Sequence, residues 1–305
     1  VALLALQSEG FAMRGRFTPQ VAEDEWCERR LLARVHRYTL KRLRAEIEPV
    51  QASDFLRFLF EWQRVLPDAR MQGPDAVAAV LAQLEGFEAP AGAWETELLP
   101  ARIAKYEPAW LDEHCLAGRF VWTRLASRAA DPERGAAPVR STPITLLARR
   151  NARLWSALTD PPDPARLTAK ARDVIECIRA EGASFFDEIV EATRLLPSQV
   201  EEALAELVAL GLVNSDSFGG LRALLVPSER RRSASGVRRR RRVALFGMAE
   251  AGRWALVKRP AVQSGSASSA PRWDSEAVEL IVRTLLRRWG VIFWRLLCRE
   301  ASWLP

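Results

Sequence analysis

The sequence predicts an α+β fold that is mostly helical, in the form of a tandem winged-helix array with additional β-strand structure. Two segments, residues 182–197 and 290–305, match in length and in the positions of their apolar residues, which indicates an internal repeat. Each follows an apolar helical pattern, and a further helix and short strands are predicted after the first copy. The 305 residues, of which 49% are hydrophobic, suffice for several such domains.

Residues 1–24 are predicted to be the end of a winged helix, that is, its third helix and the hairpin, or wing, that follows it. The apolar residues Leu3 and Leu6 match Leu204 and Leu207 of the later repeat, which lie in a predicted third helix. Residues 11–17 then have the pattern of a wing strand. We therefore expect the sequence to begin inside a repeat unit.

Residues 25–158 are predicted to form one domain, which opens with a basic helix over residues 25–48. The cations of this helix recur at helical spacing and form one stripe, while Leu32, Val35 and Leu43 lie nearer its opposite side. The stripe consists of Arg30, Arg34, Arg37, Lys41 and Arg44. It is either a solvated face paired with acids elsewhere or a track for phosphates.

The same domain is predicted to continue into a winged-helix-like unit. Residues 75–84, 91–99 and 108–117 have helical patterns, and residues 119–125 have the pattern of a strand. Residues 139–147 also have β character. This order of elements indicates a diverged copy of the repeat.

Residues 159–228 are predicted to be a complete winged helix. Its helices fall at residues 167–180, 185–193 and 197–210, and its wing strands at residues 212–213 and 221–226. The predicted wing turn is Phe218-Gly219-Gly220. The third helix carries three glutamates and no basic residue, so phosphates would repel it, and nucleic acid is expected to touch Arg222 in the wing instead.

Two further segments complete the predicted organisation. Residues 229–272 are expected to be basic and serine-rich linkers that flank a β segment at residues 243–257. Residues 273–305 match only the first half of the repeat, so we expect a further winged helix that is truncated where its third helix would begin.

The positive charge is concentrated in two segments. The net charge of +7 comes from 45 basic and 38 acidic residues, yet residues 29–44 and 230–242 contain many cations and no acid. Such segments on an otherwise acidic chain indicate contact with a polyanion at defined places. The second segment has no periodicity and is predicted to be a flexible linker. A localisation signal or compositional bias would explain its charge as well as a dedicated nucleic-acid arm would.

Several classes of protein are excluded by what the sequence lacks. No apolar run approaches the roughly 20 residues of a membrane span, and no phosphate-binding loop, dinucleotide fingerprint or serine-hydrolase motif occurs. The four scattered cysteines predict buried thiols in a reducing compartment rather than a zinc site or disulfides. Adjacent carboxylates such as Asp112 and Glu113 are expected to be solvated. The chain itself is thus predicted to be no enzyme and to hold no cofactor or metal.

The stretch of residues 25–49, EWCERRLLARVHRYTLKRLRAEIEP, resembles the large helicase-related (Lhr) family of bacterial superfamily 2 DNA helicases. Further segments resemble the family in the same order along the chain: residues 58–63, 83–90, 98–102, 216–225 and 251–256. In this family two RecA-like motor domains precede a winged helix, a fourth domain and, in long members, an array of further winged helices. The resemblance implies that residues 1–24 end the first winged helix, residues 25–158 are the fourth domain and the remainder starts the array.

The same resemblance implies a function. The family uses ATP to translocate along single-stranded DNA, unwinds DNA and RNA:DNA hybrids and is linked to DNA repair, so ATP and Mg²⁺ are implied for upstream motor domains and none for this chain. The implied partners are single-stranded DNA or an RNA:DNA hybrid and those motor domains, with no membrane, in a cytoplasmic, nucleoid-associated location. The long C-terminal array also resembles a glycosylase family, which leaves a part in a glycosylase-like array open.

The resemblance also implies a site. It places Trp26 where a tryptophan stacks on a base of the translocating strand, with Arg29, Arg30 and Arg34 on the adjacent phosphates; from composition alone, Trp26 could equally cap the core at the helix start. The rival class of function is a protein-interaction or self-association module in which winged helices pack on one another.

Overall fold

The computed structural model describes residues 2–46, 48–125, 139–159, 167–225, 247–248, 251–259 and 275–300. It divides into two compact units, Val1–Arg57 and Phe58–Pro305. Within the described residues, no helix combines the length and the apolar character that a membrane span requires. The observed fold class is the predicted one, mostly helical α+β with winged helices in tandem.

The first unit is a helix, a hairpin and a second, longer helix. Helix α1 (Ala2–Ser8) leads into the antiparallel strands β1 (Ala12–Gly15) and β2 (Glu25–Glu28), and helix α2 (Arg29–Ala45) follows at once. Helix α3 (Ala52–Trp62) contains the division between the two units. The sequence predicted the third helix and wing of a winged helix at residues 1–24; α1 and β1 fall in that range, and β2 falls beyond it.

The basic helix begins later than predicted, because residues 25–28 form strand β2. The carboxylate of Glu25 accepts hydrogen bonds from the amides of Phe17 and Thr18 at 2.6 and 2.7 Å, which fixes the end of the hairpin loop. The Glu28 carboxylate then accepts from the amides of Arg30 and Leu31 at 3.0 and 2.8 Å and caps α2. The prediction of a helix from residue 25 was therefore wrong by four residues.

The second unit contains two winged helices with one topology. The first comprises α4 (Pro74–Gln83), β4 (Ala89–Pro90), a π-helical turn (Trp94–Leu98) continued by α5 (Leu99–Arg102), α6 (Pro108–Leu116), β6 (Phe120–Thr123) and β7 (Pro143–Ala148). Its sheet has the order β4-β7-β6. A short parallel pair, β3 (Met71–Gln72) and β5 (Ile103–Ala104), lies beside it, and α7 (Ala152–Ala157) follows.

The second winged helix repeats this order. It comprises α8 (Ala169–Glu181), β8 (Ser184–Phe185), α9 (Phe186–Thr193), α10 (Pro197–Ala209), β9 (Val213–Ser215), α11 (Phe218–Leu225) and β10 (Arg253–Leu256). Its sheet has the order β8-β10-β9, so in both winged helices the last strand lies between the other two. Helices α8, α9 and α10 agree with the three helices that the sequence predicts.

The wing of this second winged helix differs from the prediction. The segment predicted as turn and strand at residues 218–226 contains helix α11 instead, and the strand that completes the sheet is β10, about 30 residues further on. The glycines allow close packing rather than a turn, since a Cβ atom on Gly220 would lie 2.7 Å from Ser215 Oγ. The winged helix therefore extends past residue 228, and β10 falls in the predicted β segment; most of the predicted linkers lie outside the described residues.

Both winged helices share one hydrophobic core. Trp122 of β6 and Trp254 of β10 are fully buried, and their rings meet edge to face with centroids 6.3 Å apart. The indole nitrogen of Trp122 donates to the carbonyl of Ser217 at 2.9 Å, just before α11. Packing across the domain boundary therefore fixes the two winged helices relative to each other.

The last part of the chain supplies two more helices, α12 (Ser275–Trp289) and α13 (Trp294–Leu297), where the first half of a further winged helix was predicted. Helix α12 packs Ile281 and Leu285 into a second apolar cluster with Trp155 and Leu147. The buried guanidinium of Arg288 donates to the Glu300 carboxylate at 2.5 Å.

Candidate nucleic-acid interface

The cationic stripe predicted on the first helix of residues 25–48 is present on α2. Its members follow one another at intervals of three or four residues on one side of the helix, and all of them are exposed: Arg30, Arg34, Arg37, Lys41 and Arg44. Within the described part of the chain, none of these five forms an ion pair. Like charges at this spacing repel one another, so an anionic ligand would relieve the repulsion.

Arg29, which the resemblance placed on the phosphates together with Arg30 and Arg34, lies apart from the stripe. It precedes Arg30 by one residue, which turns it by about 100° around the helix. Its Nη1 atom lies 3.8 Å from the position that a Cβ atom on Gly10 would occupy, so the side chain extends beside the turn before β1. The structure thus brings five of the six predicted cations of α2 onto one face and leaves Arg29 at the hairpin.

The opposite side of α2 is apolar and also exposed. Val35 and Leu43 lie there, and no residue of the helix is buried. Val35 is 50% and Leu43 is 53% exposed. Helix α2 therefore presents a cationic face and an apolar face at the same time.

Trp26 lies on β2 rather than at a helix start. It is half-buried and pairs across the hairpin with Arg14 of β1, whose guanidinium carbon lies 5.9 Å from the centre of the indole ring. Arg14 also forms an ion pair with Asp24. Among the described residues of the first unit only Ala12 is buried, so there is no core there for Trp26 to cap.

Sequence reasoning missed Arg14 as a neighbour of Trp26. The two residues are twelve positions apart, and only the register of the hairpin, which pairs Ala12 with Glu28 and Arg14 with Trp26, brings them together. The signal in the sequence for this hairpin was the pair of short strand patterns on either side of a polar loop. Because a helix was predicted from residue 25, the second strand was not recognised.

Arg222, predicted as a wing residue, is inside the protein. Its guanidinium donates to the Glu95 carboxylate at 2.6 and 2.7 Å and to the Asp112 carboxylate at 2.9 Å. Burial favours a lower pKa for Arg222, but the hydrogen bonds and charges of Glu95 and Asp112 outweigh it and raise the pKa. Asp112 is correspondingly not the solvated residue that was expected. Because two carboxylates already bind Arg222, we leave it out of the interface.

The third helices of both winged helices are unsuited to reading a DNA groove. Helix α6 packs against α11, where Asp112 also accepts from the amide of Gly219 at 2.8 Å. Helix α10 carries glutamates, of which Glu202 pairs with Lys170 and Glu206 accepts from Thr168. Recognition through these helices would bring carboxylates toward phosphates, so the cations of α2 are the better candidates.

The cysteines differ in exposure more than the sequence predicted. Cys115 is buried, Cys27 and Cys177 are half-buried, and Cys298 is exposed, so the expectation of four buried thiols was wrong. Burial raises the pKa of Cys115 to about 12 and also raises the pKa of Cys177. No group of three or more potential metal ligands lies among the described residues.

This arrangement predicts an order of thiol reactivity. At pH 7.5, Cys298 is expected to react with a disulfide reagent such as DTNB within minutes, because it is accessible to solvent. Cys115 is expected to react only after unfolding in guanidinium, because its thiol is both inaccessible and protonated. Mass spectrometry of alkylated peptides would assign the thiols, and rapid labelling of Cys115 in the native chain would contradict the structure.

Comparison with known proteins agrees with the winged-helix fold. Residues 50–149, which include the first winged helix, match the family model described as large helicase-related protein, winged-helix domain. The chain is 30% identical over 275 residues to the Lhr helicase/probable uracil glycosylase of Mycolicibacterium smegmatis, an alignment that covers 85% of this chain. It is 27% identical over 323 residues to the Lhr helicase/uracil glycosylase of Escherichia coli, covering 95% of this chain.

A tandem array of winged helices defines the class of protein as a winged-helix module. The three matches identify the chain more narrowly as a region of Lhr-family helicase sequence. The chain spans 17% and 19% of the length of these two relatives.

Proposed function

We propose that this chain is a nucleic-acid-binding accessory region of an Lhr-type helicase, and that the cationic stripe of α2 binds the backbone of a single strand. The observation that carries this proposal is the set of five exposed cations on one helix face, without an acid among them. Phosphate contacts of this kind give affinity without sequence preference, which a translocating protein requires. Trp26, in the hairpin that leads directly into α2, supplies a surface on which a base can stack.

In this proposal the chemistry that consumes ATP belongs to RecA-like motor domains outside these 305 residues. The sequence shows no phosphate-binding loop, so the chain alone is expected to bind no ATP or Mg²⁺ and to hydrolyse no nucleotide. The ligands would be single-stranded DNA or the RNA:DNA hybrid that an unwinding enzyme meets during DNA repair, on the nucleoid in the cytoplasm. A glycosylase activity, which the names of both relatives mention, would need residues that we do not assign in this chain.

A second candidate function is protein interaction or self-association. The observation that favours it is the exposed apolar side of α2, with Val35 and Leu43. Exposed apolar surface of this kind is typical of contact sites. The two functions use opposite sides of one helix and respond differently to salt, because counterion release weakens phosphate binding steeply while apolar association is insensitive to it.

The test is a variant with four cations of the stripe replaced: Arg30→Gln, Arg34→Gln, Arg37→Gln and Lys41→Gln. Binding to a fluorescent dT12 oligonucleotide, followed by anisotropy from 50 to 300 mM salt, is expected to weaken at least about tenfold at the low-salt end. The slope of log K against log salt is expected to decrease in magnitude by about 3, since each phosphate contact with a single strand contributes roughly 0.7.

The matched control removes four exposed cations of the second unit, none of which belongs to α2: Arg70→Gln, Lys105→Gln, Arg194→Gln and Arg295→Gln. The control is expected to leave the slope unchanged. If both variants lose the same affinity, binding depends on net charge alone and the assignment to α2 is wrong. Tight oligonucleotide binding with an unchanged slope in the stripe variant would equally overturn it.

A further inference from the structure

We propose a second nucleic-acid site, in the second unit: a cleft between the two winged helices that holds a single-stranded segment by its phosphates. The cleft has a volume of about 960 Å³. One wall is formed by β6 and α7, and the other by the end of α8 and by β9 and β10. The inference shares the class of ligand with the proposed function but uses different residues, none of which the sequence singled out.

The cleft is strongly cationic. Among the described residues that line it there are six cations and one acid, Asp216. The cations come from both walls and lie up to 110 positions apart in the sequence: Arg149, Arg153, Arg179, Arg253, Lys258 and Arg259. Walls of one sign around a concave surface concentrate the field and attract the opposite charge.

The single acid is already neutralised. Asp216 accepts from Arg253 Nε at 3.1 Å and from the Arg253 amide at 2.8 Å. Arg259 is held inside the wall, where its guanidinium donates to Thr159 Oγ1 at 3.2 Å and to the Leu125 carbonyl at 3.3 Å. Arg253 and Arg259 therefore bind protein groups in the walls of the cleft.

The other four cations face the solvent-filled space. Arg149, Arg153, Arg179 and Lys258 are exposed, and they form no ion pair with any residue that the structure describes. Two of them come from each winged helix. A single nucleic-acid strand lying along the cleft would thus be bound from both sides. Its phosphates would pair with these four cations, which no carboxylate of the described residues does.

The rest of the lining favours contact with the backbone. Among the described residues between the cations, most are small, apolar or hydroxyl-bearing, as Val121, Thr123, Ala183 and Ala255 are, and none is aromatic. Without an aromatic side chain on which bases could stack, affinity there would come mainly from the phosphates. A volume of about 960 Å³ accommodates a short length of single strand rather than a duplex.

The experiment uses the full chain and the same dT12 probe. The cleft variant carries Arg149→Gln, Arg153→Gln, Arg179→Gln and Lys258→Gln, and its control is the Arg70, Lys105, Arg194 and Arg295 variant described above. The cleft variant is expected to reduce the magnitude of the salt slope by about 3, with an unchanged melting temperature. In the wild type, dT12 is expected to slow hydrogen exchange of β10 amides, and the cleft variant is expected to abolish that effect.

The outcomes separate this inference from the proposed function. A normal slope in the cleft variant, or protection by dT12 at α2 without protection at β10, overturns the cleft and leaves α2 intact. A normal slope in the stripe variant with a reduced slope in the cleft variant supports the cleft and overturns α2. Competition by dTMP as effective as competition by unlabelled dT12 shows a mononucleotide site and overturns the strand. Absence of oligonucleotide binding by the wild type overturns both.

Discussion

Replacing Arg222 with alanine is expected to lower the free energy of unfolding of the second unit by about 3–5 kcal/mol. The Arg222 side chain is only 13% exposed, and it joins α11 to Glu95 in the π-helical turn and to Asp112 in α6. Its removal leaves two carboxylates at the junction of the winged helices without their cation. Breaking one side of such a buried pair costs far more than the pair contributes, because the remaining charges are poorly hydrated.

The neighbourhood offers those carboxylates little compensation. Tyr106 donates its hydroxyl to Glu95 at 3.0 Å, and burial together with the charge of Glu95 raises the pKa of Tyr106, so the tyrosine remains a neutral donor. The guanidinium of Arg222 also lies 5.8 Å from the ring centre of Phe218. One alanine substitution thus removes an ion pair with each of two carboxylates and a ring contact.

The control is Arg283→Ala, which removes an arginine whose carboxylate partner, Glu279, is one helical turn away and exposed. This pair is expected to contribute about 0.3–0.5 kcal/mol. Urea unfolding can be followed by tryptophan fluorescence, because Trp94, Trp122 and Trp254 are buried in the core that the two winged helices share. Equal destabilisation by the two substitutions would contradict the buried network.

The fate of residues 218–226 shows what local sequence could not determine. Residues 221–225 are apolar except for Arg222 and follow two glycines, so the pattern alone is compatible with a turn and a strand. The helix is selected by contacts more than 100 positions away in the sequence, namely Gly219 with Asp112 and Arg222 with Glu95. No local pattern carries that information, whereas the regular helices α8, α9 and α10 were predicted within about two residues.

The candidate site likewise contains parts that local sequence could predict and parts that it could not. The stripe of α2 could be predicted because its spacing of three and four residues is a property of one helix. The cleft could not, since Arg153 and Lys258 share it only through the packing of two domains. The resemblance predicted Trp26 as an aromatic beside the cations, but its strand and its neighbour Arg14 depend on a hairpin register that the sequence left open.

Trp26→Ala is expected to weaken binding of dT12 by roughly ten- to a hundredfold, because stacking of a base on an aromatic ring is worth about 1–3 kcal/mol. The salt slope is expected to remain nearly unchanged, since indole binds no phosphate and releases no counterion. The combination of a large loss of affinity with a constant slope is distinct from the effect of the stripe variant.

Leu43→Ala provides the control. Leu43 is a more exposed apolar residue of the same unit, and it lies on the side of α2 opposite the cationic stripe. Its replacement is expected to leave affinity for dT12 within about twofold of the wild type, while Trp26→Phe, which keeps a smaller ring beside Arg14, should retain part of the stacking energy. A Trp26→Ala variant that binds dT12 as the wild type does, with the same melting temperature, would remove Trp26 from the interface. An equal loss in Leu43→Ala would instead show that both residues act through the packing of the unit, because Leu43 has no ring on which a base could stack.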